Sequence, residues 1–194
     1  MDPITSVTTT RLALTPLSPG DLANVFEIFS DPRTWAHLPS GRHRRQEQSE
    51  ALIAAGQRSW DESGAGPWAV RVGEAGGPGG LPPGAFIGIG GVTLTGSGLW
   101  NLGYRLTPAT WGHGFATELA AAALSAAATA DPTAPVMARV LSNNPASSAV
   151  AERAGLTLRW EGPARDAVAA DVCRRIYADR AFTGAQIEWL IARA

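Results

Sequence analysis

The chain has 194 residues, 45% of them hydrophobic, with a formal net charge of -1 and a single cysteine. A chain of that length buries roughly 70% of its unfolded surface and is expected as a single domain spanning 1–194. The charge balance argues against nucleic acid and membrane surfaces as bulk partners, lone Cys173 permits no internal disulfide, and His37, His43 and His113 lack metal-ligand spacing, so no metal is expected.

In chain order, Arg11 to Leu17 alternates as a strand with Leu12, Leu14 and Pro16 on one face. Ser18-Pro-Gly-Asp21 is a turn that caps a helix. Leu22, Val25, Phe26 and Phe29 recur at helical spacing up to Ser30, and Asp31-Pro32 ends that helix. Arg33 to Pro39 reads as irregular, aromatic and surface-exposed. Gln46 to Ser63 is a second helix, with Leu52, Ile53, Gly56 and Trp60 along one side. Pro67 to Val72 is a short strand. Gly73 to Ala85, with six Gly and three Pro, is expected as a mobile hairpin loop or insertion. Phe86 to Thr95 and Leu99 to Thr107 form an antiparallel pair about the turn Gly96-Ser-Gly98.

Phe115 to Ala128 is nearly all strong helix former. Pro135 to Ser142 is an apolar strand of the kind found beside parallel neighbours. Asn144 to Ala154 is a short helix closed by Gly155. Leu156 to Gly162 and Cys173 to Ala178 are a final strand pair joined by a loop, and Thr183 to Ala194 is an amphipathic helix. The start, Met-Asp-Pro-Ile-Thr-Ser, has no basic region or apolar core, and no stretch could span a bilayer, so a cytoplasmic location is expected.

The chain is organised around Trp111-Gly-His-Gly-Phe-Ala, where a strand ending near Pro108 turns into a helix. The first amides of a helix lack partners inside it, and the macrodipole adds positive charge there. Gly112 and Gly114 let a phosphate approach those amides, although a tight turn without a ligand has the same spacing. A Walker loop is excluded because all sixteen basic residues are Arg, and a dinucleotide fingerprint is excluded because Thr117 stands where its third Gly belongs.

This stretch resembles the acyl-CoA pyrophosphate loop of the GNAT superfamily, Gln/Arg-x-x-Gly-x-Gly/Ala, with Trp111 first, Gly114 fourth and Ala116 sixth. Trp in the first place, with Gly-x-Gly-aromatic-Ala-Thr-Glu following, is similar to the ribosomal-protein N-terminal acetyltransferase branch. Asn144-Pro-Ala-Ser147, continuing to Ala154-Gly155-Leu156, resembles that branch's Asn-x-x-Ser…Gly-Phe signature. The resemblance is firm from about Phe86 to Leu156. It implies an α/β (α+β) fold, a mixed and mostly antiparallel sheet flanked by helices, with two central parallel strands that splay apart to admit the pantetheine arm. It also implies acetyl transfer from acetyl-CoA to a primary amine, either a small molecule or a protein N-terminus, and leaves room for a homodimer.

The resemblance assigns Leu106, Thr107, Trp111, Gly112, His113, Gly114, Phe115, Ala116, Thr117, Asn144 and Ser147 to the cofactor. The Leu106 backbone N–H takes the role of polarising the thioester carbonyl. Asn101 occupies the place where the branch often carries a Glu base, and Asn cannot take a proton. Ala151 replaces the Tyr that many members use as general acid, which leaves Ser147 for that task. Asn144 and Ser147 also suit a helix cap, and Asn101 an ordinary strand position. Trp35, His37 and Tyr104 are expected along the acceptor groove. Asp31 and Glu27 are the reserve bases. Replacing Gly114 with Val is expected to weaken CoA binding while leaving the fold intact. With Asn101 and Ala151 in the two proton-handling positions, a non-catalytic acyl-CoA-binding module is the alternative to an enzyme.

Overall fold

The computed structural model describes residues 5–165 and 171–193. One sheet of eight strands runs through them: β1 (Val7–Thr8), β2 (Leu12–Pro16), β3 (Pro67–Val72), β4 (Phe86–Leu94), β5 (Trp100–Leu106), β6 (Val136–Leu141), β7 (Thr157–Pro163) and β8 (Cys173–Ala178). Their spatial order is β1-β2-β3-β4-β5-β6-β8-β7, so the last strand in the chain slips inside its predecessor. Every neighbouring pair is antiparallel except β5 with β6. The apolar strand β6 therefore has one parallel and one antiparallel neighbour, not parallel neighbours alone.

Among the described residues five α-helices cover the sheet: α1 (Leu22–Ser30), α2 (Gln46–Ser63), α3 (Phe115–Ala130), α4 (Pro145–Arg153) and α5 (Gly184–Ile191). Asp21 sets the start of α1 by accepting from the N–H and hydroxyl of Ser18, and it also pairs with Arg71 on β3. Gly64, with φ +70°, ends α2. Pro145 at the first position of α4 and the Asn144 side chain at its cap start that helix.

The helices divide between the two faces. Leu17, Val25, Ile28, Phe29, Trp35 and Ile53 pack with Ala69 of β3 and Ile89 of β4, which places α1 and α2 on one face. On the other, Phe115, Leu119, Ala120, Ala123 and Ala127 of α3 pack with Leu102 and Leu106 of β5 and with Val136, Ala138 and Val140 of β6. Leu190 of α5 joins Met137 and Ile176, whose register with Asn101 puts α5 on the α1–α2 face. Gly90 matters for α3: a Cβ there would stand 2.6 Å from both Leu119 and the Tyr104 Cβ, so the helix could not lie against the strand.

Two expectations need correction. The 33–39 segment is not wholly a surface loop: Pro32–Trp35 is a turn of 3-10 helix, and its residues Thr34 and Trp35 are buried. The 73–85 segment is ordered by backbone bonds rather than left as a free insertion, with Gly73 N–H on the Arg11 carbonyl and Gly84 N–H on that of Val72. The two-residue β1 was too short to show in the sequence. Part of the 163–172 loop and residue 194, the predicted end of the last helix, lie outside the described residues. No helix among the described residues is long and apolar enough to cross a membrane.

Candidate active site

Strands β5 and β6 pair only at Trp100 with Val136 and Asn101 with Met137, then diverge. On the other edge of β5, pairing with β4 continues to Leu106. The Thr107 N–H goes to Ile87 on the β4 side, and the Trp100 N–H goes to Pro135 on the β6 side. Backbone groups alternate with a period of two, so the amides of Tyr104 and Leu106 point into the opening beyond the last β5–β6 pair. The Leu106 carbonyl, on the same edge, accepts from Nε1 of Trp111 at 3.0 Å. That bond ties the exposed Trp111 ring back to the strand.

Gly112 and Gly114 have φ of +80° and +79°, a left-handed conformation suited to Gly. Gly114 is the N-cap of α3 and makes no side-chain cap bond. The Glu118 N–H to Gly114 carbonyl bond is the first turn of the helix, so the amides of Phe115, Ala116 and Thr117 point out of its end. A Cβ on Gly112 would meet nothing within 4 Å. The loop therefore has the room and the free donors that a pyrophosphate needs.

Glu118 faces away from this end. Its carboxylate accepts from the Thr9 hydroxyl (2.6 Å), the Arg11 N–H (2.8 Å) and Arg11 Nε (2.7 Å). Partial burial works to raise its pKa, but these bonds together hold it below the usual carboxylate range. Arg11 also donates to the His113 carbonyl at 2.7 Å and lies 4.6 Å over the Phe115 ring. The residue leading into β2, far away in sequence, thus braces the loop and places a cation beside it.

On the α3–α4 face, the Tyr104 hydroxyl donates to Ser147 Oγ at 3.3 Å. Burial pushes the Tyr104 phenol up, only partly offset by its bond to Ser147, so it stays protonated near neutrality. Asn144 Oδ1 accepts the Ser147 N–H at 3.2 Å, so Asn144 is the α4 cap. Ala151 is buried in the core.

The opposite face of β5 carries Asn101, Gly103 and Arg105. Arg105 donates to the Thr34 carbonyl, lies 3.2 Å from the Trp35 ring centroid and 5.5 Å from that of Phe29. Burial lowers its pKa to about 10. His37 stacks beyond Trp35, with ring centroids 6.5 Å apart, and its carbonyl accepts from Asn143 Nδ2 at 3.3 Å. Burial first, then the Arg105 and Arg174 charges, push the His37 imidazole below its ordinary value. Residues 34–37 thus bridge the mouth of the opening from β5 to the end of β6.

The structure brings Trp35 and His37 together but separates Tyr104 from them. Tyr104 belongs to the other face, with Ser147, because adjacent strand residues point to opposite sides. Asn101 sits where β5 still pairs with β6, short of the opening. Among the reserve bases, Asp31 is held by Arg33, whose side-chain bond is the main cause of its lowered pKa. Glu27 lines a small recess with Asn24, Ile28, Phe86 and Thr107. Sequence reading missed Arg105. The available signal was its place directly after Tyr104 in a strand, which aims it at the face that holds Trp35 and His37.

The profile of the acetyltransferase (GNAT) domain family matches residues 11–157. The chain belongs to the GNAT acetyltransferases. Solved GNAT structures share its fold. An acetyltransferase from Agrobacterium tumefaciens is similar at 24% identity over 91% of this chain and 94% of its own, with a TM-score of 0.71. RimL, a ribosomal L7/L12 alpha-N-protein acetyltransferase in complex with coenzyme A, is similar at 16% identity over 89% and 95%, with a TM-score of 0.70. The spermidine N-acetyltransferase of Vibrio cholerae, in complex with CoA and spermine, is similar at 17% identity over 88% and 97%, with a TM-score of 0.67. The mixed sheet, with β5–β6 as its one parallel pair among the described residues, matches the GNAT fold. Among the described residues no group of three metal-ligating side chains occurs.

Proposed function

We propose that the protein transfers the acetyl group of acetyl-CoA to a primary amine by direct attack in a ternary complex. The observation that carries this reading is the β5–β6 opening, which has the unsatisfied α3 amides at one end and the Tyr104–Ser147 hydroxyl pair beside it. Acyl-CoA supplies the activated thioester: the amine nitrogen gains the acyl carbon and loses a proton, and the sulfur leaves as thiolate and takes one.

The chain's own residues divide the remaining work. Gly112, His113, Gly114, Phe115, Ala116 and Thr117 hold the pyrophosphate, with Arg11 bracing the loop. Thr107 and Trp111 flank the arm. The open β5 edge offers main-chain bonds to an extended pantetheine, which serves as a substitute strand. The Leu106 N–H points into that opening, where a carbonyl oxygen gaining charge would find it. Tyr104, still protonated and already donating to Ser147, supplies a proton through the Ser147 hydroxyl. Asn101 contributes no base, so the amine loses its proton to water or to a neutral imidazole such as His37.

RimL and the spermidine enzyme show that one architecture serves protein and small-molecule amines. The test is purified protein with acetyl-CoA or succinyl-CoA, a panel of amines and N-terminal peptides, and detection of free thiol together with product mass. Thiol release that depends on an amine, with acetyl-CoA preferred, is the expected result. CoA binding without amine-dependent release would overturn the enzyme in favour of a non-catalytic acyl-CoA-binding module.

A further inference from the structure

Among the described residues, Arg105 has neutral partners only: the Thr34 carbonyl and the faces of Trp35 and Phe29. A desolvated cation without a counter-charge is unfavourable, and its attraction to an incoming anion is far stronger than in bulk water. One of its nitrogens is taken by a carbonyl; its remaining N–H groups have no hydrogen-bond partner among the described residues, and a guanidinium presents them as a planar fork that matches carboxylate or phosphate.

The surroundings are short of acceptors. Asn143 donates its Nδ2 to the His37 carbonyl, and Trp35 Nε1 is a buried donor without a partner. Arg174, buried on β8 in register with Leu141, lies on the same face and is engaged in contacts of its own. His37 stacks on Trp35, and burial followed by nearby positive charge lowers its pKa, so it stays neutral. The acceptor side of the opening is therefore electropositive and rich in donors.

Resting on the acyltransferase reading, we propose that the acceptor is a small amine that also carries an anionic group, carboxylate or phosphate, and that Arg105 holds that group while the amine reaches the thioester. The same field disfavours polyamines, whose further positive charges would sit against Arg105.

The test pairs each anionic amine with its neutral counterpart: an amino acid with its amide, and an aminoalkyl phosphate with the amino alcohol. Spermidine and a peptide with a neutral N-terminal residue are included. For the wild type, kcat/KM for at least one anionic member should exceed that for its neutral partner at least about tenfold, which corresponds to roughly 1.4 kcal/mol. The two pairs distinguish carboxylate from phosphate. Arg105→Met, which retains apolar bulk against Trp35, should bring that ratio close to one, and Arg105→Lys should retain part of it. CoA affinity by calorimetry should be unchanged in both, which shows that each variant is folded.

Preference for the neutral amine, for spermidine or for the peptide would overturn the proposal, as would a ratio unaffected by Arg105→Met. If no amine is turned over, the acyltransferase reading fails separately. Calorimetry of the anionic amines against CoA-saturated protein then decides this one: binding that Arg105→Met abolishes supports it, and no binding overturns it.

Discussion

Tyr104 and Arg105 are adjacent in sequence and do opposite things, because a strand sends consecutive side chains to opposite faces. Tyr104 meets Ser147 on the cofactor side and Arg105 meets Trp35 on the acceptor side. The hydroxyl pair makes a specific prediction. If Tyr104 delivers its proton through Ser147, removing either hydroxyl breaks the same route, so the effects should not add. Ser147→Ala and Tyr104→Phe should each lower kcat about tenfold, the low end for general acid help since a thiolate is a fairly good leaving group. KM for acyl-CoA should move less than about threefold, the pattern of an interaction made mainly in the transition state. The double variant should be little worse than either single one. Multiplicative losses would mean two independent roles, and unchanged kinetics in Ser147→Ala would leave Ser147 as a helix-start hydroxyl. The motif made Ser147 legible in the sequence, while its partner was hidden because contacts between strand and helix across 43 positions leave no local pattern.

At the scale of elements, periodicity and turn residues located most of the fold. The observed limits of α2, β3 and β8 coincide with the expected ones, and α2 and β3 stop at Gly64 and Gly73. Trp35 eluded this reading, because a short polar and aromatic segment has no period, and its burial depends on Phe29, Ile89 and Arg105 arriving from elsewhere. The start of α3 shows a second gap. Spacing identified Gly114 as a phosphate-loop residue, but its left-handed φ of +79° appears only in three dimensions. Val at that position is therefore not a clean probe: it adds strain of about 1–2 kcal/mol for the left-handed conformation. Its Cβ would also stand 3.4 Å from Arg11 Nη2. Asn tolerates that conformation far better. Gly114→Asn should keep its melting temperature within a few degrees and still weaken CoA binding at least about tenfold, or about 1.4 kcal/mol, whereas Gly114→Val should lose both. Calorimetry and thermal melts separate the two, and full CoA affinity in a folded Gly114→Asn variant would remove the loop from the phosphate site.

For the whole molecule, imidazoles near the opening and hydrogen-bonded carboxylates away from it are shifted for different reasons, and stability should follow pH in two stages. His37 and His43 both lie in the Arg105 cage, His43 with its Nδ1 2.8 Å from Ser49 Oγ and its ring on Phe29. Burial, followed by the Arg105 charge, lowers the pKa of each below 6.5, with Arg174 adding to the effect at His37. The unfolded chain, with ordinary imidazoles, therefore takes up protons at a higher pH than the folded one. Stability should be level above about pH 7 and start to fall as pH drops through about 6.5. Two such groups limit the slope to about 2.7 kcal/mol per pH unit, and screening of these partly exposed rings reduces it further. Glu118 and Asp31 act in a lower window. Their folded pKa values are depressed, so the stability they contribute is present above their unfolded values near 4.5 and 3.8 and is lost as pH falls through the folded ones. Urea titrations followed by tryptophan fluorescence from pH 8 to 3 should show both stages. In the double variant His37→Gln, His43→Gln the upper stage should disappear while the lower one remains. A flat midpoint from pH 7 to 5 in the wild type, or an upper stage that survives in the double variant, would show that the Arg105 cage does not set the charge of these imidazoles.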